Sequence, residues 1–322
     1  MAQALITGGA GFIGSHLAEA LLQRGWSVQG IDDFSTGCAR NLAHLIDHPG
    51  FSFVRGTVMN RTIMSEMVDR ADVIFHLAAA VGVRLIVEKP VHTIETNIKA
   101  TELVLELASR KRKPVLLNST SEVYGKLDRP KFGEEDDLVL GPTCKARWCY
   151  AASKIIDEFM AQAYFKEKGL PAIVLRVFNT IGPRQTGQYG MVVPRFVRQA
   201  LTCQPITVYG DGLQRRCFVW VGDVVDASIK LVGESTAFGE VFNVGHTKEI
   251  SIGQLAVLIK EMTRSSSTIV TIPYERAYEP GFEDMPRRLP DITKIQRSIG
   301  FQPTLELPQM LERIIAYERQ RL

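Results

Sequence analysis

The stretch from Thr7 to Gly14 reads TGGAGFIG and constrains the fold more than any other part of the chain. Gly8, Gly11 and Gly14 repeat as G-x-x-G-x-x-G, directly after the apolar triplet Ala4-Leu5-Ile6. The triplet reads as a short buried strand, and the glycine stretch as a turn into a helix ending near Arg24. Glycines let the backbone approach a pyrophosphate closely, while the helix N-terminus offers unpaired N–H groups and a positive dipole end. A second strand over 27–31 closes at Asp32-Asp33. A carboxylate at that point can hydrogen-bond the adenosine ribose hydroxyls and repels a 2′-phosphate, which favours NAD over NADP.

Further apolar runs at 51–54, 73–77, 115–118 and 172–178 alternate with helical stretches, the clearest at 96–110 and 150–168. Strands separated by helices this many times predict an α/β fold, a Rossmann-type doubly wound parallel sheet. The runs are almost continuously apolar because helices cover both faces of such a sheet. After Asn179 the rhythm breaks: Gly182-Pro183, Gly187 and Gly190 mark loops, and Gly210-Asp211-Gly212 a turn between short strands. Helical patterns return at 223–231, 252–262 and 307–317, and 241–244 reads as a strand that rejoins the main sheet. The expected division is a cofactor-binding domain over 1–178, with 220–245 returning to it. A smaller mixed α/β substrate domain takes 179–219 and 246–322. A chain of 322 residues is long for one domain, and 45% hydrophobic with 23% charged residues suits a globular enzyme with a sizeable core.

The net charge of +3 is too small to make nucleic acid the main partner, and the basic run Arg110 to Lys113 reads as the solvated end of a helix. The five cysteines (Cys38, Cys144, Cys149, Cys203, Cys217) lack CxxC spacing, which speaks against structural zinc or disulfides and fits a reducing cytoplasm. No metal site is expected. No apolar run approaches the ~18 residues needed to span a bilayer. The N-terminus enters a strand at once, leaving no room for a signal peptide.

Tyr150 and Lys154 stand four residues apart on a predicted helix and share a face. A nearby ammonium stabilises phenolate, so such a tyrosine can take a proton from a sugar hydroxyl while hydride leaves the same carbon. The strand before them, Leu116 to Ser121, places Thr120 near a C-terminal strand end, where ligands bind in such sheets.

TGGAGFIG, HLAA at 76–79, STSEVYG at 119–125 and YAASK at 150–154 together resemble the extended short-chain dehydrogenase/reductase family. RVFNTIGPRQ at 176–185 and ITVYGDGLQRRCF at 206–218 resemble that family's sugar-nucleotide enzymes, in matching order through essentially the whole chain. The resemblance implies a catalytic Thr120, Tyr150 and Lys154, bound NAD, and a UDP- or dTDP-sugar in the second domain. The implied cofactor contacts are Gly8, Gly11, Phe12, Ile13, Gly14, Asp32, Asp33, Val58, Leu77, Ala78, Ala79 and Asn97, joined by Tyr150 and Lys154. Many members carry an acidic residue at the adenine where this chain has Thr57-Val58.

Members share oxidation of the sugar and differ in the later steps. Sugar 4,6-dehydratases typically carry Asp-Glu after the catalytic Thr, whereas this chain has Ser121-Glu122, as UDP-glucuronate decarboxylases do. GPTCKARWCYAASK at 141–154 and GFEDMPRRLPDITK at 281–294 resemble the decarboxylases too, the latter around a catalytic Arg that falls on Arg288. The implied roles are carboxylate binding by Arg288, sugar positioning and a proton relay by Ser121 and Glu122, diphosphate binding by Arg216, and nucleotide-sugar contacts at Asn179 and Val193. Arg287 next door leaves the choice between the two arginines open. Cys149 reads as a small buried residue, and His76 and His16 as packing or backbone-bonding residues. The expected activity is therefore decarboxylation of UDP-glucuronate, forming UDP-xylose by re-reduction or the free 4-keto pentose. A UDP-sugar 4-epimerase is the alternative. A non-catalytic NAD sensor is disfavoured, since it needs none of Thr120, Tyr150 and Lys154. Relatives of this kind pair two long helices into a homodimer, for which 96–110 and 150–168 are the candidates.

Overall fold

In the computed structural model, seven parallel strands form the main sheet. They are β1 (Gln3–Thr7), β2 (Ser27–Asp32), β3 (Phe51–Arg55), β4 (Val73–His76), β5 (Val115–Thr120), β6 (Ala172–Val177) and β11 (Val241–Val244). Their order across the sheet is β11-β6-β5-β4-β1-β2-β3. The structure describes all residues except Met1, 83–85, 87, 188–189, 278–284 and 286. The expected match at 281–294 therefore lies partly outside the described residues. The doubly wound sheet and the return of 241–244 are as the sequence predicts, with β11 beside β6.

Helices cover both faces. On one, α1 (Phe12–Gln23) and α6 (Val221–Val232) bury Leu17, Leu21, Val224 and Leu231 against Ile6 and Phe75. On the other, α2 (Arg61–Arg70), α3 (Pro90–Arg110) and α4 (Trp148–Lys168) bury Met64, Val104 and Ala161 against Leu5 and Leu117. Strand order reverses between β1 and β4, whose C-terminal residues Thr7 and His76 pair. A crevice opens at such a switch point, and the loops after those strands form its walls.

α3 starts six residues before the predicted 96. Pro90 opens it with a preset φ. Its first turn exposes Val91 (68%) and Ile94 (39%), so no buried periodicity announces it. α2 begins where the Asn60 side chain accepts the Thr62 and Ile63 N–H groups at 3.1 and 3.2 Å. The basic run after α3 is a charged helix end: Arg110 pairs with Glu106 and Lys111 with Asp69, both at 2.8 Å.

The second lobe packs α5 (Val192–Leu201), α7 (Ile252–Thr263) and a C-terminal helix (Leu307–Arg319) around Phe196, Leu255, Ile259, Met310 and Ile314. Two short strands, β7 (Thr180–Ile181) and β10 (Val219–Trp220), pair where the chain passes between the lobes. The Gly210 turn joins strands of two different sheets: β8 (Ile206–Tyr209) pairs with β13 (Ile269–Ile272), while β9 (Arg215–Cys217) lies between β12 (Glu249–Ser251) and β14 (Arg287–Arg288). Ile292, Ile295 and Phe301 come back to the first core, from a stretch assigned to the second lobe by sequence. Among the described residues no helix is long and apolar enough to cross a membrane, and no group of three or more His, Cys, Asp or Glu is arranged to hold a metal.

Candidate active site

The glycine turn is built as tightly as its spacing implies. Gly8 adopts φ +73°, and a Cβ there would stand 2.9 Å from the Ala78 nitrogen. A Cβ on Gly14 would lie 2.2 Å from the Gly8 carbonyl oxygen. α1 begins with neither a capping side chain nor a first-turn acid, which leaves its N–H end open to an anion. At the end of β2, Asp32 accepts the Ala10 N–H at 3.1 Å and the Phe34 N–H at 2.8 Å. Burial raises its pKa, and those two donors oppose the rise. Phe12, Ile13, Asp33, Val58, Leu77, Ala78 and Ala79 line the same cleft, whose volume is about 1370 Å³. An open helix end, a backbone cradle without Cβ atoms and a carboxylate at the cleft fit a dinucleotide. Gly14→Ala is expected to force the Gly8 carbonyl aside at a cost of about 1–3 kcal/mol, read as weakened NAD affinity by calorimetry.

Asn97, expected at the cofactor, stands behind the cleft wall instead. It is 1% exposed, accepting the Ala80 N–H at 2.8 Å and donating to Ser153 Oγ at 3.0 Å. Its amide is consumed in bracing α4 and the loop after β4.

The three residues expected to be catalytic come from β5 and α4. Thr120 ends β5, and its hydroxyl accepts the Glu122 N–H at 3.2 Å. Tyr150 lines the cleft beside it. Lys154 does not reach into the cleft: at 2% exposure its Nζ pairs with Asp157 Oδ2 at 2.8 Å. The expected lowering of the Tyr150 pKa is absent. Burial pushes it up, the Glu122 and Asp157 charges add to the rise, and Thr120 and Arg288 oppose it. Cys149 is half-buried, and burial pushes its thiol up, which disfavours the thiolate.

Glu122 sits between two arginines. Its Oε1 accepts from Arg288 Nη1 at 2.5 Å and its Oε2 from Arg147 Nη2 at 3.2 Å. Sequence reasoning passed over Arg147, although its spacing of three to Tyr150 was a signal. The tandem arginines separate by strand alternation. β14 runs parallel to β9 with Arg287 opposite Arg215 and Arg288 opposite Arg216. Arg287 grips Glu249 through two bonds of 2.7 and 2.6 Å, and Arg215 reaches the same carboxylate at 3.5 Å. Arg288 and Arg216 point the other way, buried and lining the cleft. Among the described residues Arg288 Nε is buried without a hydrogen-bond partner, as are Nε and Nη1 of Arg195. Arg195, also missed from sequence, stacks 3.8 Å over the Tyr209 ring. Val193 and Asn179 line the same lobe of the cleft, the Asn179 amide donating to the Cys217 carbonyl at 2.9 Å. Buried guanidinium nitrogens without partners suit a diphosphate and a carboxylate.

Residues 5–314 match the GDP-mannose 4,6 dehydratase family. The chain belongs to that family. Within it, the UDP-N-acetyl-alpha-D-glucosaminuronate decarboxylase of Bacillus cytotoxicus is 43% identical over 317 residues, covering 98% of this chain and 97% of its own. The UDP-glucuronic acid decarboxylase 1 of Xenopus tropicalis is 36% identical over 318 residues, covering 99% of this chain and 72% of its own. Among solved structures, the UDP-glucuronic acid 4-epimerase of Bacillus cereus with UDP-glucuronic acid and NAD superposes with a TM-score of 0.90. Its identity is 28%, over 99% of this chain and 100% of that one. As in any member of a GDP-mannose 4,6 dehydratase family that spans several chemistries, site residues decide the reaction.

Two histidines near the cofactor loops are neutral supports. Burial lowers His76 to about 3 and His16 to about 4. His76 bonds Thr7 Oγ1 at 2.7 Å and Thr101 Oγ1 at 3.1 Å, and His16 bonds the Pro183 carbonyl at 3.0 Å. An unfolded chain protonates these rings near pH 6.5, so each contributes a loss of about 1.4 kcal/mol of stability per pH unit as pH falls below that value, ending at its folded pKa. His76→Asn is expected to flatten the decline of Tm between about pH 6 and pH 4 relative to the parent.

Proposed function

We propose that this chain is an NAD-dependent decarboxylase of UDP-glucuronate. The observation that carries the reading is Glu122 held between Arg147 and Arg288, in one cleft with Thr120 and Tyr150. Two guanidinium groups against one carboxylate leave a positive wall, which favours a sugar bearing its own carboxylate over a neutral hexose. Bound NAD supplies the acceptor for the C4 hydride. Tyr150, with Thr120 beside it, takes the C4 hydroxyl proton. The 4-ketone then lies β to the carboxylate, so the electrons of the breaking C5–C6 bond pass into an enolate. Arg147 and Arg288 orient that carboxylate, and Ser121 and Glu122 return a proton to C5. Arg216 and Arg195 hold the diphosphate. Ser121 replaces the acid that a dehydratase uses to expel water, which supports decarboxylation within this family.

The 43% relative favours a second substrate, the 2-acetamido analogue. The test incubates the protein with NAD and each of UDP-glucuronate and UDP-N-acetylglucosaminuronate, following mass and NMR. Loss of CO2 from either establishes the decarboxylase and picks the sugar. Unchanged mass with C4 inversion establishes a 4-epimerase and removes the roles given to Glu122 and Arg288.

We further propose a homodimer through α3 and α4, which pack side by side and leave Val91, Ile94, Ile156 and Phe159 exposed. Light scattering of a Phe159→Lys variant, expected to be monomeric, checks it. All five cysteines are free, which suits the cytoplasmic location we propose.

A further inference from the structure

Behind the cleft wall a line of buried polar groups runs from the glycine turn to the catalytic lysine. Thr7 Oγ1 already accepts the Leu77 and Ala78 N–H groups, both at 3.2 Å, so its own proton goes to His76 Nδ1 at 2.7 Å. A neutral His76 then carries its proton on Nε2 and donates it to Thr101 Oγ1 at 3.1 Å. Thr101, from α3, stabilises the charged form of Asp157, whose Oδ1 is buried with no hydrogen bond among the described residues. Asp157 in turn holds Lys154 Nζ at 2.8 Å, with both side chains at 2% exposure or less.

We propose that Asp157 is a positioning residue, which anchors the Lys154 ammonium and ties it through Thr101, His76 and Thr7 to the loops that cradle the cofactor. The ion pair is more than a structural staple because of where it stands. Lys154 lies one helical turn from Tyr150, and the Asp157 charge itself reaches the phenol. Asp157 therefore governs two things at once: how much of the lysine charge Tyr150 feels, and where that charge sits. The groups facing Asp157 are Lys154 and Glu158 on its own helix and Thr101 on α3. His76 on β4 stands behind Thr101 and is held neutral by burial, with Lys154 assisting.

The inference rests on Tyr150 and Lys154 carrying the redox step of the proposed function, and not on which sugar is bound. Its test needs no substrate. Protein labelled with carbon-13 at the tyrosine Cζ reports each phenol separately, and a Y150F variant assigns the Tyr150 signal. The expected result is a Tyr150 signal that stays flat to about pH 10 in the parent and moves toward the phenolate position in D157N. With NAD and substrate, the acid limb of the kcat profile should move down by about one pH unit in the same variant. A folded D157N in which neither changes overturns the proposal and leaves Asp157 a structural ion pair. Should D157N not fold, D157E keeps the charge but displaces the ammonium. It is expected to lose tenfold to a hundredfold in kcat, roughly the effect of a small misplacement, with KM within about twofold. An undiminished kcat in D157E overturns the proposal equally.

Discussion

Replacing Tyr150 with phenylalanine is expected to lower kcat by about 10²–10⁴-fold while leaving nucleotide-sugar binding almost unchanged. The side chain is 7% exposed and lines the cleft, and phenylalanine fills nearly the same space. What is removed is the only phenol beside Thr120 at the end of β5 among the described residues. The measurement is release of labelled CO2, with reduced cofactor followed by absorbance. Thr120 and Lys154 remain, so residual turnover within a factor of ten of the parent would show that another group takes the proton. In the ligand-free protein Tyr150 keeps its proton, because burial and the Glu122 charge disfavour phenolate. Activity therefore depends on Tyr150 meeting positive charge when the site is loaded, and its alkaline behaviour should differ between loaded and empty protein.

The second large effect is on folding. Arg176 on β6 donates to Glu158 from Nε at 3.1 Å and from Nη2 at 2.7 Å, and from Nη1 to the Tyr124 hydroxyl at 3.0 Å. Ser119 donates to the same Glu158 carboxylate, and Tyr124 donates to Asn243 on β11 at 2.7 Å. One guanidinium thus fastens β5, β6, β11 and α4 beneath the site. Arg176→Met is expected to cost about 3–5 kcal/mol in denaturant unfolding, because it strands a buried carboxylate. Adding Glu158→Leu should recover much of that loss, since a buried pair replaced by apolar groups is often near neutral. If the single variant costs under about 1 kcal/mol, the pair is solvated and the network contributes little.

The sheet was legible because its strands are apolar on both faces and its turns carry glycine at positions where a Cβ collides. Asp32 was legible because a strand end fixes where its carboxylate goes. What escaped notice is pairing that acts through space. Glu122 meets Arg288 across 166 positions of sequence, and no local pattern says that Arg147 closes on the other oxygen. Asn97 and Lys154 were expected to touch the cofactor because the family resemblance implied it. Their polar ends are instead bound by Ala80, Ser153 and Asp157, partners that only packing reveals. The start of α3 escaped for the opposite reason, since an exposed first turn leaves no periodic trace.

β14 is only two residues long, yet its phase sets which arginine lines the cleft. A strand that short has almost no ladder of its own to hold its phase, and a slip by one residue would exchange Arg287 for Arg288. The carboxylate of Glu249, 7% exposed, accepts Arg215 and Arg287 together in the observed phase and so acts as a detent. A salt bridge on the other face of this small sheet is thereby expected to keep Arg288, and not Arg287, in the cleft. Glu249→Gln is expected to reduce kcat several-fold with little loss of Tm, and the effect should fade in an Arg287→Ala background, where no competing guanidinium is left to enter the cleft.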